Sequence, residues 1–402
     1  MEEIAAHRDV SSLGAISLTA RAADMPSRRR LSILHVHSGN LFGGIERAIL
    51  TCVENLNRAP SIAFEFALCF DGQLRDHLAV AGQTIHRLPE VRTRNPLTIV
   101  AARQHLTRLL RQKHYDVALC HSPWAHSIFA PVIRRAGVPE LFWAHDHFSG
   151  KHWLERWARR SKPDFVISNG HYCEKSVTRI FPGVAHQVMR YPVSDHRVRL
   201  SSDHRSRLRR ELKTPDDAVV IIQVSRMEPW KGHDLLLESA ATIRRDSPWA
   251  VWFVGGTQRK QEEAYLADLK AKAASLGISD RVRFAGQRTD VPHLLAAADI
   301  FCQPNQAPEP FGIVFVEALS QALPVVTFAM GGPAEIVDET CGVLLPPGRK
   351  DALGSRLEQL IRDKDLRRRL GEAGPARAKA LCDPDVILPQ LEKLVSRLSR
   401  AK

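Results

Sequence analysis

The chain has 402 residues, too many for one ordinary domain and enough for two of about 150–200 each. Its 44% hydrophobic and 25% charged residues exclude a collagen, a coiled coil or a wholly disordered chain. Lys and Arg outnumber Asp and Glu by 57 to 44, and the excess is heavier up to residue 195 (25 against 17) than beyond it (32 against 27). That balance favours an anionic partner, whether nucleic acid, lipid headgroups or a phosphorylated small molecule, without choosing among them.

Residues 1–29 carry acidic groups and no continuous apolar run, so they are expected to be an unstructured leader rather than a secretory signal. Short β-branched and aromatic runs then alternate with longer helical patterns. Leu31–His37, Phe64–Phe70, Thr84–Leu88, Asp116–His121, Leu141–His145 and Phe165–Ser168 read as strands, with a helix over Leu97–Leu110. A polar, Arg- and His-rich seam is expected at residues 190–215. The second half repeats the scheme with Val219–Val224, Trp252–Val254, Val282–Phe284, Ile300–Gln303, Val325–Phe328 and Val343–Leu345, and with a helix over Tyr265–Leu276 stopped by Gly277. Continuous apolar strands between helices indicate parallel sheets covered on both faces. The fold class is therefore α/β: two doubly wound, Rossmann-like units with a cleft at the carboxyl ends of their strands. The last helix, Ile387 to Leu398, carries Leu391, Leu394, Val395 and Leu398 on one face and needs a partner surface, for which the first domain is one choice.

Seven scattered cysteines without a C-x-x-C pair indicate neither a zinc cluster nor a disulfide framework. They read as small buried hydrophobes in a reducing, cytoplasmic compartment. No uncharged apolar run reaches about 18 residues; the richest, Ile313 to Met330, is broken by Glu317, Gln321 and Pro324.

Three stretches carry chemistry. Gly43-Gly44 follows the first strand and precedes a helix expected near Glu46, so backbone amides there can approach a ligand, or simply make a tight turn. It is not G-x-G-x-x-G, and no G-x-x-x-x-G-K-[ST] occurs, which removes most support for a dehydrogenase or a P-loop NTPase. Ser225-Arg226-Met227-Glu228-Pro229-Trp230-Lys231-Gly232 sets Arg226 and Lys231 at a strand's carboxyl end, where a fork and a point charge can share one pyrophosphate; a solvated loop is the alternative. Glu309-Pro310-Phe311-Gly312-Ile313-Val314-Phe315-Val316-Glu317 holds two carboxylates around a helix start expected near Phe311. The free first amides suit sugar hydroxyls or phosphate oxygens. Glu317, in an otherwise apolar helix, needs a polar ligand such as ribose hydroxyls or a structural ion pair.

These motifs, in this order and with Gly286–Val291 between them, resemble GT-B retaining glycosyltransferases of family 4 from about Leu31 to the end of the chain. The resemblance implies an N-terminal, acceptor-side domain over residues 30–195 and a nucleotide-sugar-binding domain over 196–402. It implies that Arg226 and Lys231 grip the donor diphosphate and that Gly43 and Gly44 let the first domain approach it. Glu317 would bind the nucleotide ribose, and Glu309, with the amides of Phe311, Gly312, Ile313 and Val314, the transferred sugar. His145, preferred over His147 because it ends a strand, matches the histidine beside the donor sugar, a structural histidine being the alternative. The expected activity moves a sugar from a UDP- or GDP-sugar to an acceptor hydroxyl, on a glycan or a polyprenol-linked glycan, with retention. No cofactor and no metal are expected, on the reading that no D-x-D signature appears anywhere in the chain and that two cations can supply the charge. The group Trp153, Arg156, Trp157, Arg159, Arg160 and Lys162 suggests peripheral contact with an anionic membrane at its inner face, a basic helix packed on its own domain being the alternative. A nucleotide-sugar 2-epimerase on the same architecture is one rival. A basic nucleic-acid-binding module is another, weakened by the lack of aromatics interleaved with the basic residues, so no nucleic-acid partner is expected.

Overall fold

The computed structural model describes residues 29–40, 42–194 and 197–401. The expected leader thus lies almost wholly outside the described residues, as does the domain boundary at 195/196. The first lobe is a seven-stranded parallel sheet of β1 (Leu31–His37), β2 (Ile62–Leu68), β3 (Thr84–Arg87), β4 (Val117–Cys120), β5 (Glu140–Ala144), β6 (Phe165–Ser168) and β7 (His186–Val188), in the order β3-β2-β1-β4-β5-β6-β7. The second is a six-stranded parallel sheet of β8 (Val219–Val224), β9 (Trp249–Val254), β10 (Val282–Gly286), β11 (Ile300–Cys302), β12 (Val325–Phe328) and β13 (Gly342–Leu345), in the order β10-β9-β8-β11-β12-β13.

Both sheets are buried on both faces, which is why their central strands are mostly apolar, with His35 and His37 in β1 and Gln223 in β8 as buried polar exceptions. In β1, Ile33 packs into one core while Leu34 and Val36 pack into the other. Strand order reverses between β1 and β4, and again between β8 and β11, and an open sheet offers its crevice at such a reversal. Gly43-Gly44 follows β1, residues 225–232 follow β8, and residues 303–312 follow β11, so all three motifs stand at these crevices.

Some expected bounds shift, β2 lying at Ile62–Leu68 rather than Phe64–Phe70, β9 starting at Trp249 rather than Trp252 and the following helix spanning Lys260–Ser275, and two further elements depart from expectation. β7 is an added edge strand of three half-buried residues, too short to give a pattern. Within the polar seam, Ser202–Glu211 is a helix, capped by Ser201 accepting from the His204 amide at 3.2 Å. Its Arg209 is fully buried because Ala218 and Ala297 carbonyls and Asp299 accept from the guanidinium.

The last helix, Pro384–Arg400, returns to the first lobe. Asp385 pairs with Arg58 at 2.9 Å, Ser399 reaches Asp116 at 3.2 Å, and the Val193 amide donates to the Cys382 carbonyl at 3.0 Å. Ile387, Leu388, Leu391, Leu394 and Val395 are buried in a core that also contains Ile33 and Leu119. At roughly 1.5–3 kcal/mol per buried aliphatic side chain, this seam binds the two lobes together.

Candidate active site

On the second lobe, the turn after β8 is folded onto the segment after β11. Gly232 has φ +76°, and a Cβ there would lie 2.0 Å from the Pro304 carbonyl oxygen, so only glycine permits the approach. The Gln306 amide donates to the Trp230 carbonyl at 2.7 Å across the same junction. Lys231, 3.9 Å from the Trp230 ring centre, is thereby delivered to Glu309, its Nζ 2.5 Å from Oε2. The same oxygen accepts from Asn305 Nδ2 at 3.1 Å and lies 3.5 Å from Gln303 Nε2. Glu309 is further fixed through its carbonyl, which accepts from the Gly332 amide at 2.8 Å.

The helix expected near Phe311 begins two residues later, at Ile313, because Gly312 adopts φ +88° and turns the chain into it. Glu317 stands on this helix and accepts from Arg47 Nε of the first lobe at 3.0 Å, while Arg47 Nη1 also donates to Glu54 at 2.7 Å. Arg226 is held by Glu228 at 2.7 Å and Glu262 at 3.4 Å. The structure thus brings Lys231 and Glu309 into contact, joins Glu317 to the opposite lobe, and pairs Arg226 with Glu228 of its own loop and with Glu262. Each of these charged groups has a protein partner.

On the first lobe, Gly43 precedes the helix Gly44–Glu54. Glu46 Oε2 accepts from the Gly43 amide at 2.8 Å and Oε1 meets His37 Nε2 at 2.7 Å, fixing the loop from below. Burial works against the Glu46 carboxylate, but His37 and the Gly43 amide outweigh it and hold its pKa below the usual value. Among the described residues, no atom beyond its chain neighbours and its own helix backbone lies within 4 Å of where a Cβ on Gly44 would stand. Gln258 of the second lobe donates to the Phe42 carbonyl at 2.8 Å and tethers the loop across the cleft.

His145 lies just past β5 in a buried row of rings. Its Nδ1 is 2.7 Å from the Tyr191 hydroxyl and its Nε2 is 3.0 Å from His121 Nδ1; His121 Nε2 in turn is 2.9 Å from His35 Nδ1. Asn169 donates to both the His145 carbonyl and the Tyr191 oxygen, so Tyr191 directs its own proton to His145. Burial first, and neighbouring histidines second, push His121 and His145 well below the usual histidine range and His35 to about 3. These rings are neutral at pH 7. Tyr191 also meets Phe311 edge to face at 4.8 Å, carrying the row to the Glu309 loop. His147 stacks on Tyr172 at 4.7 Å instead. The carboxyl of Asp146 between them is raised, by desolvation first and then by the charges of Glu309 across the cleft and Glu155. Further along, Glu335 of the second lobe accepts from the amides of His171 at 2.9 Å and Tyr172 at 2.6 Å, at the start of the helix His171–Ile180.

Two D-x-D triplets do occur, Asp363-Lys364-Asp365 and Asp383-Pro384-Asp385. Their first aspartates cap the helices Lys364–Cys382 and Pro384–Arg400. All seven cysteines are buried and unpaired.

The family described as Glycosyltransferase Family 4 matches residues 42–223, and the one described as Glycosyl transferases group 1 matches residues 204–377. The chain belongs to the family 4 glycosyltransferases. Among its relatives is the lipopolysaccharide core biosynthesis glycosyltransferase LpsE of Rhizobium meliloti, 33% identical over 41% of this chain and 46% of LpsE, so the match spans less than half of that relative. The GDP-mannose-dependent alpha-(1-6)-phosphatidylinositol monomannoside mannosyltransferase of Mycolicibacterium smegmatis is 28% identical over 69% of this chain and 75% of its own. Anabaena HepE, solved with UDP and glucose, superposes with a TM-score of 0.79 at 25% identity, covering 92% of this chain and all of HepE. The two lobes are those of a GT-B architecture.

For this family 4 chain, sequence reasoning missed Arg47, Tyr191, Gln303, Asn305 and Glu335. Arg47 had a signal, lying three residues beyond the Gly-Gly turn on the same helix. Asn305 and Gln303 had a weaker one, polar residues closing an apolar strand just before Glu309. Tyr191 and Glu335 act only through contacts distant in sequence. Among the described residues no helix is long and apolar enough to cross a membrane.

Proposed function

We propose that the protein transfers a sugar from a nucleotide-sugar donor to an acceptor hydroxyl, on a glycan or a lipid-linked glycan, with retention and an α-linked product. The observation that carries this reading is the meeting of Lys231 and Glu309 at the second-lobe strand ends, with Glu317 joined to Arg47 across the cleft. A departing sugar leaves negative charge on the diphosphate, and Lys231, Arg226 and the first amides of the helix Ile313–Ser320 are the groups to stabilise it. Gly43 and Gly44 let the first lobe close on that diphosphate, and Glu317 holds the ribose once Arg47 yields it. Glu309 and the amides of Phe311, Gly312, Ile313 and Val314 hold the transferred sugar. His145 forms the wall beside that sugar, its ring oriented by Tyr191 and His121.

Glu309 and Glu317 share one bank of the cleft, whereas glycosidases set their two carboxylates on either side of the scissile bond. The leaving phosphate therefore takes the acceptor proton, in a front-face displacement that requires no metal. Trp153, 48% exposed and stacked on Trp157 with Arg156 and Arg160 around them, is the surface we assign to an anionic membrane at the cytoplasmic inner face.

A thermal-shift panel of UDP-, GDP- and ADP-sugars tests the donor site. A ligand at one hundred times its Kd stabilises by about 2.7 kcal/mol. Lys231→Ala is expected to abolish that shift, and Lys113→Ala, which alters an exposed pair with Glu65, to leave it intact. A panel without a responsive nucleotide sugar, or a Lys231→Ala shift equal to wild type, overturns the reading.

A further inference from the structure

Glu309 uses its two carboxylate oxygens unequally. Lys231 and Asn305 donate to Oε2, and Gln303 Nε2 lies 3.5 Å from it, while among the described residues no group donates to Oε1. The amide orientations that produce this are forced. Asn305 Oδ1 accepts from Gln303 Nε2 at 3.1 Å, which leaves Asn305 Nδ2 aimed at Glu309. Turning either amide over would set an oxygen against the carboxylate. Gln303 is itself anchored in the sheet: its amide donates to the Val326 carbonyl at 3.2 Å and its carbonyl accepts from Thr327 Oγ1 at 2.8 Å. Gln303 and Asn305 are almost wholly buried, so water does not compete for these bonds.

We infer that Asn305 is a positioning residue for Glu309, holding Oε2 so that Oε1 is presented to a hydroxyl of the transferred sugar; the inference rests on the donor-site reading above. It assigns two partners of different kinds to one carboxylate. Lys231 is a mobile charge on a long stem, and in that reading it also serves the diphosphate. Asn305 is a short, neutral donor fixed by β11 and β12. When Lys231 turns toward an arriving diphosphate, Asn305, backed by Gln303, keeps Glu309 from swinging after it. Nucleotide recognition and sugar recognition are thereby separated: Lys231 serves both, Asn305 only the second.

The test compares Asn305→Asp, which keeps the shape but replaces the N–H donor by an acceptor, with Asn305→Ser, which keeps a hydroxyl donor. Affinities are measured for UDP against UDP-glucose and for GDP against GDP-mannose, together with transfer or donor-hydrolysis kinetics on the responsive donor. Asn305→Asp is expected to bind the nucleoside diphosphate within about twofold of wild type. It is expected to lose the extra affinity contributed by the sugar and to lower kcat by tenfold to a hundredfold, the range for one charge-assisted hydrogen bond. Asn305→Ser is expected to recover part of both. Equal loss of nucleoside diphosphate and nucleotide-sugar binding, failure of both variants to fold, or a full sugar increment in Asn305→Asp overturns the inference. A wild-type protein that gains no affinity from the sugar moiety overturns the donor-site reading instead, before any variant is made.

Discussion

Acidification from pH 7 to pH 5 is expected to destabilise the protein steeply, and the first lobe most. Four histidines are held neutral by burial: His35 and His233 at about 3, and His121 and His145 well below the usual range. In the unfolded chain each titrates near 6.5. Between those values the unfolded state binds protons that the folded state refuses, so unfolding gains free energy as pH falls. Over this interval each such histidine costs about 2 kcal/mol of stability, and four cost about 8 kcal/mol, comparable with the whole stability of a typical domain. Two groups act in the opposite sense. Burial lowers His126, but its bond and charge interaction with Glu140 at 2.6 Å win and raise it. Its contribution is complete below pH 6.5 and is lost as pH rises through the folded value, so it adds almost nothing over the lower part of the interval. Asp146, a raised carboxyl, likewise takes up a proton more readily when folded and so acts against the histidines. Urea unfolding at pH 7, 6 and 5, followed by tryptophan fluorescence, measures the slope. Trp143, 5.5 Å from the His145 ring and 6.0 Å from that of His121, reports on the affected row. An unfolding free energy unchanged between pH 7 and 5, or histidine ring signals of His121 and His145 titrating near 6.5, would refute the reasoning.

Gly232→Ala places a Cβ 2.0 Å from the Pro304 oxygen at φ +76°, so we expect a loss of at least about 1–3 kcal/mol in melting experiments and a donor site that no longer responds to nucleotide sugars. An unshifted melting curve would show that the turn after β8 does not depend on this approach. For the membrane surface, sedimentation with anionic vesicles is expected to exceed that with neutral ones and to fall on Trp153→Ala; equal sedimentation with both counts against it.

What the chain reveals about itself divides along the range of the interactions involved. β1, β6, β8 and β12 are legible end to end, because a strand buried on both faces is rich in apolar, β-branched and aromatic residues and needs no knowledge of its neighbours. The motif positions follow from the same pattern, since a ligand-binding loop in a doubly wound sheet must lie beyond a strand's carboxyl end. What His145 does with its ring was not legible. A histidine ending a strand looks free until β1, β4 and β5 are known to be adjacent, which sets His35 and His121 beside it, and until Tyr191 arrives from 46 residues away. Glu317 is the converse case. Its apolar helix announced that the carboxylate needed a partner, but the partner present is Arg47, 270 residues earlier on the opposite lobe. Both outcomes have one physical cause: the fold gathers polar groups that are isolated in sequence, within the first lobe for His145 and across the two lobes for Glu317, and there they satisfy one another. On the proposed reading, Lys231 with Glu309, Arg226 with Glu228 and Arg47 with Glu317 are the bonds that a donor would exchange for its own. Its net affinity depends on how nearly the new bonds exceed the old, rather than on the number of charges counted along the chain.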